Sequence, residues 1–141
     1  MSRVFWDTML FVYWIEDHPL FGPRVREIFS SMQERHDFLC TSALAMGETL
    51  AGPYRRGTQT IIEQIEEFFA SSDIEVLSFT PQAAIHFAAL RAKYAIRPPD
   101  AIHLACAANA GVDLFLTNDS SLIGKVVPGI QFITGLDTNV L

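Results

Sequence analysis

Cysteine is scarce in this chain: Cys40 and Cys106 are the only two, each within an apolar segment. That pattern reads as buried thiols and not as a disulfide framework. With no histidine clustered beside them, it also argues against a zinc site. Long apolar runs are missing too, and none reaches the ~18 residues of a membrane span. The opening Met1-Ser2-Arg3-Val4 lacks the apolar region and small-residue cleavage site of a signal peptide, so the expected location is the cytoplasm. Cations are in deficit: 10 Lys and Arg face 16 Asp and Glu, a net charge of −6. An ordinary DNA-binding module is basic. A metal-dependent nuclease is not held to that rule, because its carboxylates are counted before their cations arrive. An acidic surface also suits a basic partner. No repeat, low-complexity tract or linker interrupts the sequence, so residues 1–141 are expected to form one domain.

What is present is core-forming material. A hydrophobic content of 50% and a mean hydropathy of +0.24 exclude disorder. Val4-Phe5-Trp6 is a short apolar run of the kind buried on both faces of a parallel sheet, and it runs into Asp7. The pattern then predicts helices over 8–16 and 23–34, and a strand over 38–41. Ser42 caps a helix over 43–56, Gly57 ends it, and another helix covers 58–70. A strand is expected over 74–79, then Thr80-Pro81 as cap and first turn of a helix reaching Tyr94. Pro98-Pro99 predict an extended approach, with a helix starting at Asp100 and running to Ala110 before Gly111. Strands are expected over 113–117 and 130–133, with one helical turn at Leu122-Ile123. Strands alternating with helices define an α/β fold: a central parallel β-sheet flanked by α-helices.

Four acids stand out in that frame. Asp7 follows the first strand, Glu48 sits among small and apolar residues of an early helix, Asp100 stands at a helix start, and Asp119 follows a late strand. Each has an ordinary reading: Asp7 or Thr8 as a helix cap, Glu48 as a solvated side chain, Asp100 as a cap, Asp119 as a turn residue. Ligands in open α/β sheets bind beyond the carboxyl ends of the strands, where all four can converge.

The motifs around these acids resemble the PIN domain family, most closely its VapC-type toxins of toxin–antitoxin pairs. Asp7-Thr8-Met9-Leu10-Phe11-Val12-Tyr13 is similar to the family's opening motif, and Ser42-Ala43-Leu44-Ala45-Met46-Gly47-Glu48 to its glutamate helix. Pro99-Asp100-Ala101-Ile102-His103-Leu104-Ala105 and Leu116-Thr117-Asn118-Asp119 are similar to its third and fourth motifs. The resemblance spans nearly the whole chain. It implies a PIN-like fold, a magnesium- or manganese-dependent endoribonuclease, a cognate antitoxin protein, RNA as substrate and a homodimer. It carries over Asp7, Glu48, Asp100 and Asp119 as the acidic, metal-holding set, with Thr117 as a polar helper. Two departures bear on substrate preference: Met9 stands where the family often has Asn or Ser, and Ser120 where a basic or larger residue is common. The tail Asp137-Thr138-Asn139-Val140-Leu141 also resembles the opening motif, and is read as coincidence.

The residue types fit that chemistry. Magnesium takes oxygen ligands and keeps several waters, so a few carboxylates suffice. The expected reaction is attack by a metal-activated water on phosphorus. Asp7 and Asp100 are the expected direct ligands, with Asp119 and Glu48 acting through water or on a second ion. His103, one turn from Asp100, reads more readily as a packed neighbour than as a base. Arg55, Arg56, Arg91, Lys93 and Arg97 are candidate phosphate contacts or solvated helix ends. A haloacid-dehalogenase-type phosphatase needs a second Asp two residues after the first, where Met9 stands. A receiver-type phosphoacceptor needs paired acids at the first strand. The remaining alternatives are an interaction module without catalysis and a structure-specific DNA nuclease.

Overall fold

The structure is a computed structural model that describes residues 1–139. Val140 and Leu141, at the end of the tail motif, lie outside the described residues. The chain order is β1 (Arg3–Trp6), α1 (Thr8–Ile15), α2 (Gly22–Arg35), β2 (Phe38–Ser42), α3 (Ala43–Arg56), α4 (Gln59–Ala70), β3 (Glu75–Leu77), α5 (Pro81–Lys93), α6 (Pro98–Ala110), β4 (Leu114–Leu116) and β5 (Phe132–Thr134). All neighbouring strands pair in parallel, in the order β3-β2-β1-β4-β5. This is the parallel α/β sheet that the alternation of strand and helix patterns predicts.

Successive side chains of a strand point to opposite faces, and the core follows that rule. Val4, Trp6, Leu39, Leu114 and Leu116 pack with Leu10, Phe11, Val25, Ile28 and Met32 on one face. Phe5, Cys40 and Phe115 pack with Leu104, Ala105 and Leu90 on the other. Both faces are therefore covered by helices, as continuous apolar strands demand. Phe5 and Phe115 stack across β1 and β4 with ring centroids 4.8 Å apart. Truncating either to Ala would cost about 3–5 kcal/mol. Among the described residues, no helix is long and apolar enough to cross a membrane.

Three local expectations are corrected. Helix α6 begins at Pro98, not at Asp100, with Arg97 as the extended N-cap residue. The two prolines occupy its first positions, where a missing N–H costs nothing because those donors lack intrahelical partners. Asp100 thus lies in the first turn, next to the positive end of the helix, and is not the cap. The helical turn at Leu122-Ile123 is instead a pair of turns, Leu122 N–H to Asp119 C=O and Lys125 N–H to Leu122 C=O. Gly124 at φ 88° prevents a helix from continuing there. The strands expected over 74–79 and 130–133 are Glu75–Leu77 and Phe132–Thr134. The first stops where Leu77 meets Ser42, the last residue of β2. The second is set by pairing with the three residues of β4.

Candidate active site

Strand order determines where a site can form. The chain steps from β1 outward to β2 and β3, then returns to the other side of β1 for β4. The carboxyl ends of β1 and β4 therefore flank the point where the winding reverses, the usual ligand position in such sheets. Asp7 directly follows β1, and Thr117 and Asp119 follow β4.

Asp7 is the most enclosed of the four acids, 8% exposed. It caps α1: one carboxylate oxygen, Oδ1, accepts from the Thr8 N–H at 2.9 Å. The other, Oδ2, accepts from the Thr117 hydroxyl at 2.7 Å. Burial pushes its pKa above the ordinary carboxylate value, and the Thr117 and Thr8 hydrogen bonds oppose that rise without cancelling it. Thr117 also accepts from the Asp119 N–H at 3.0 Å, so one hydroxyl ties the two strand-end acids together. Asp119 accepts from the Ser121 hydroxyl at 2.7 Å and from the Ser121 N–H at 2.9 Å. The Ser121 hydroxyl is the main reason that its pKa lies below the ordinary value.

Glu48 reaches the same place from α3. It accepts from the Thr8 hydroxyl at 2.7 Å, and its Oε1 lies 2.9 Å from His103 Nε2. On the far side of the imidazole, Nδ1 is 2.7 Å from the Ser42 hydroxyl. Asp100 faces Arg97, whose Nε donates to it at 3.1 Å. Asp7, Glu48, Asp100 and Asp119 line one cavity of about 360 Å³, together with Thr8, Met9, Arg97 and His103.

Serine, histidine and glutamate in a row resemble a nucleophilic relay, but Ser42 cannot act as one. It is fully buried, and its oxygen accepts from the Ala45 N–H as the cap of α3. A nucleophile must be reachable. The cysteines are no better placed. Both are buried, and burial raises their thiol pKa values to about 12 for Cys40 and about 11 for Cys106.

The donor set of the cavity is oxygen-rich, as a hard divalent cation requires. Among the described residues, its buried member, Asp7, has no Lys or Arg within 4 Å, and His103 Nε2 stands 4.0 Å from it. Among the described residues, no three His, Cys, Asp or Glu side chains stand close enough to close a metal site by themselves. A larger cavity of about 720 Å³ lies at the opposite end of the sheet, lined by Arg3, Asp37, Glu75 and Asp113. Its carboxylates already have partners: Asp37 accepts from the Ser2 N–H, Asp113 from the Arg3 N–H, and Glu75 pairs with Arg3.

All five residues singled out in the sequence thus lie in or against one cavity: the four acids line it, and Thr117 bonds to two of them. Sequence reasoning missed three partners. Thr8 was weighed only as a cap, Ser121 was passed over for Ser120, and the pairing of Arg97 with Asp100 was not foreseen. Thr8 had no local signal, whereas the other two did: an Asp followed two residues on by Ser in a turn, and a spacing of three residues at a helix start.

An all-parallel sheet with a carboxylate-lined cavity at its switch point describes a class of α/β domain. The PIN domain family model matches residues 4–125, and the chain belongs to that family. Among curated proteins, none matches the sequence. Solved structures share the fold at low identity. VapBC2 from Rickettsia felis, bound to a DNA fragment from its promoter, is 16% identical over 94% of this chain and 98% of that chain, with a TM-score of 0.76. VapC20 of Mycobacterium tuberculosis, a toxin that cleaves the sarcin–ricin loop, is 16% identical over 87% and 96%, with a TM-score of 0.69. A toxin–antitoxin complex from Klebsiella pneumoniae is 19% identical over 90% and 94%, with a TM-score of 0.66.

Proposed function

We propose that this single PIN domain, residues 1–141, is a magnesium- or manganese-dependent endoribonuclease and the toxin of a toxin–antitoxin pair. One observation carries the reading: acids from four separate elements line one cavity at the switch point of a PIN sheet. The similarity to toxins and toxin–antitoxin complexes supports it.

Asp7 and Asp100 would hold the ion directly, with Glu48 and Asp119 holding or orienting waters around it. A bound ion would supply a Lewis acid for the phosphoryl oxygen and lower the pKa of a water. Thr117 fixes Asp7 and the backbone of Asp119, so two donors move as one unit. Thr8 and His103 aim the Glu48 carboxylate. With Ser42 buried and the thiols held protonated, neither is a nucleophile here, and the proposed attacking group is a metal-activated water. The seat proposed for the antitoxin is apolar. An apolar groove of about 380 Å³, lined by Phe11, Trp14, Ile15, Ile61, Ile65 and Phe68, runs between α1 and α4. Through Ile15 and Val12 it leads toward the acid cavity, where a basic side chain of the partner would meet the carboxylates.

The test is a panel of labelled RNAs and DNAs incubated with magnesium or manganese. Metal-dependent cleavage of RNA that Asp7→Asn abolishes is the expected result. A folded protein that cleaves no RNA but still binds a partner would favour the interaction module. Cleavage confined to DNA would favour the DNA nuclease.

A further inference from the structure

Lysine occurs twice in this chain, at Lys93 and Lys125, and both converge on one ring. The Lys93 ammonium lies 5.1 Å from the Tyr94 ring centroid and the Lys125 ammonium 4.9 Å from it. The Tyr94 hydroxyl donates to the Val126 C=O at 2.9 Å and accepts from the Val126 N–H at 3.2 Å. Those two bonds clamp the end of α5 to the loop that follows β4. Six of the arginines have a carboxylate within 4 Å: Arg3, Arg24, Arg26, Arg35, Arg56 and Arg97. Neither lysine has one among the described residues.

Two like charges without counter-charges are costly to hold together, and the ring faces offset only part of that repulsion. In a chain of net charge −6, carboxylates are plentiful, yet neither ammonium has one within 4 Å among the described residues, Asp119 acting on Lys125 only from farther off. Two turns, Leu122 N–H to Asp119 C=O and Lys125 N–H to Leu122 C=O, link Lys125 to the cavity residue Asp119. Tyr94 lies in the connection that carries Arg97, and Lys125 in the connection that carries Asp119, both of which line the cavity. The fields of Arg97 and Lys125 both reach Asp119. Met9 and Val12 also line the cavity and offer nothing to a phosphate, while Arg55 and Arg56 stand beyond Val12 and Glu48.

We infer that Lys93, Tyr94 and Lys125 form a cradle for the phosphodiester backbone of the RNA strand where it leaves the cavity beside Asp119. The inference rests on the nuclease reading and extends it to the path of the substrate. Lysine ammoniums act on phosphates as point charges, so the cradle holds the strand without reading its bases. Tyr94 is a positioning residue that keeps the two cations on one patch.

The experiment follows the anisotropy of a fluorescein-labelled single-stranded RNA on ice, in magnesium, over a series of potassium chloride concentrations. The same samples are run on a gel to read cleavage separately. Lys93→Gln, Lys125→Gln and the double variant are compared with Arg26→Gln, which removes one charge from α2 on the other face of the sheet. The double variant is expected to bind several-fold more weakly at low salt. Its slope of log affinity against log salt should fall by about 0.7 per lysine removed. Arg26→Gln should keep the wild-type slope, and the Lys93→Arg, Lys125→Arg pair should retain binding. A slope unchanged in the double variant, or changed equally by Arg26→Gln, overturns the cradle while leaving the nuclease reading intact. Wild-type protein that neither binds nor cleaves RNA overturns both. Tighter lysine-dependent binding of duplex DNA overturns the assignment to RNA.

Discussion

His103 Nε2 stands 2.9 Å from Glu48 Oε1, and on the other side of the ring Nδ1 stands 2.7 Å from the Ser42 hydroxyl, which also accepts from the Ala45 N–H. The helix that carries Asp100 is thereby bonded to the helix that carries Glu48.

His103→Leu breaks both bonds and leaves the buried Ser42 hydroxyl with the Ala45 N–H as its one remaining partner, a loss of roughly 1–3 kcal/mol. His103→Gln places an amide donor near the Nε2 position. We expect the leucine variant to melt lower and cleave RNA poorly, and the glutamine variant to recover much of the cleavage. Thermal melts and cleavage rates of the two variants check this. Equal loss in both would reduce His103 to packing.

Asp100 presents a different balance. Its ion-pair partner Arg97 is 77% exposed, so the pair contributes little to stability. Asp100→Asn should leave the metal-free protein as stable as before, or more so, because it relieves repulsion among the acids. A metal that binds only the folded state raises the melting temperature with its concentration. Titrating manganese into wild type and variant reads both effects. The expected result is a smaller metal-induced shift in the variant. An undiminished shift would remove Asp100 from the site.

Three of the acids were legible because each sits at a boundary that the sequence announces, whereas Glu48, inside α3, stood out only as a carboxylate among small and apolar residues. Asp7 follows an apolar strand pattern, Asp119 ends another, and Asp100 lies just inside a helix marked by two prolines. The sheet followed from the alternation of apolar runs. What joins the acids was not legible. The Thr117 bridge, the Thr8–Glu48 bond and the Ser42–His103 contact each cross between elements far apart in the chain. Such contacts depend on tertiary packing, which local patterns do not encode. The prolines misled for a physical reason: the same residue that stops a helix is also favoured at its first turn.

Burial of Asp7 sets a pH dependence. Its folded pKa lies above the unfolded value, so between the two the folded state binds more protons. Stability of the metal-free protein should therefore fall as pH rises through that window and level off above the folded pKa. Asp119 acts in the opposite sense. Its lowered pKa contributes stability that is lost as pH falls through the folded value, though as a mostly solvated group it contributes little. In chelator, the stability of Asp7→Asn relative to wild type should grow with pH across the Asp7 window. Urea melts over a pH series measure this. A difference independent of pH would show that Asp7 is not strained by burial.

The partner prediction concerns the groove between α1 and α4. Ile61 is partly exposed on its wall, so Ile61→Arg should fold normally and lose capture by the antitoxin. Co-expression with any small protein encoded beside this chain, followed by purification and light scattering, should give a complex and a homodimeric toxin. A monomer at micromolar concentration that captures nothing would count heavily against the toxin reading.

The reaction is the sharpest test. With water as nucleophile, in-line attack on phosphorus expels the 3′ oxygen and leaves a 5′-phosphate and a 3′-hydroxyl. A ribonuclease that uses the RNA's own 2′-hydroxyl leaves a 2′,3′-cyclic phosphate instead, and needs a base and an acid to move protons. His103 is the only histidine lining the cavity, and its two nitrogens are engaged by Ser42 and Glu48, so that route is poorly supplied. Chelation should therefore abolish cleavage, and Asp7→Asn or Asp100→Asn should each lower the rate by orders of magnitude. Glu48→Gln and Asp119→Asn should be severe but milder, since each is expected to act through water. Product ends read by ligation and mass spectrometry decide the matter. Cyclic-phosphate ends, or full activity in excess chelator, would falsify the hydrolytic mechanism while leaving the PIN fold untouched.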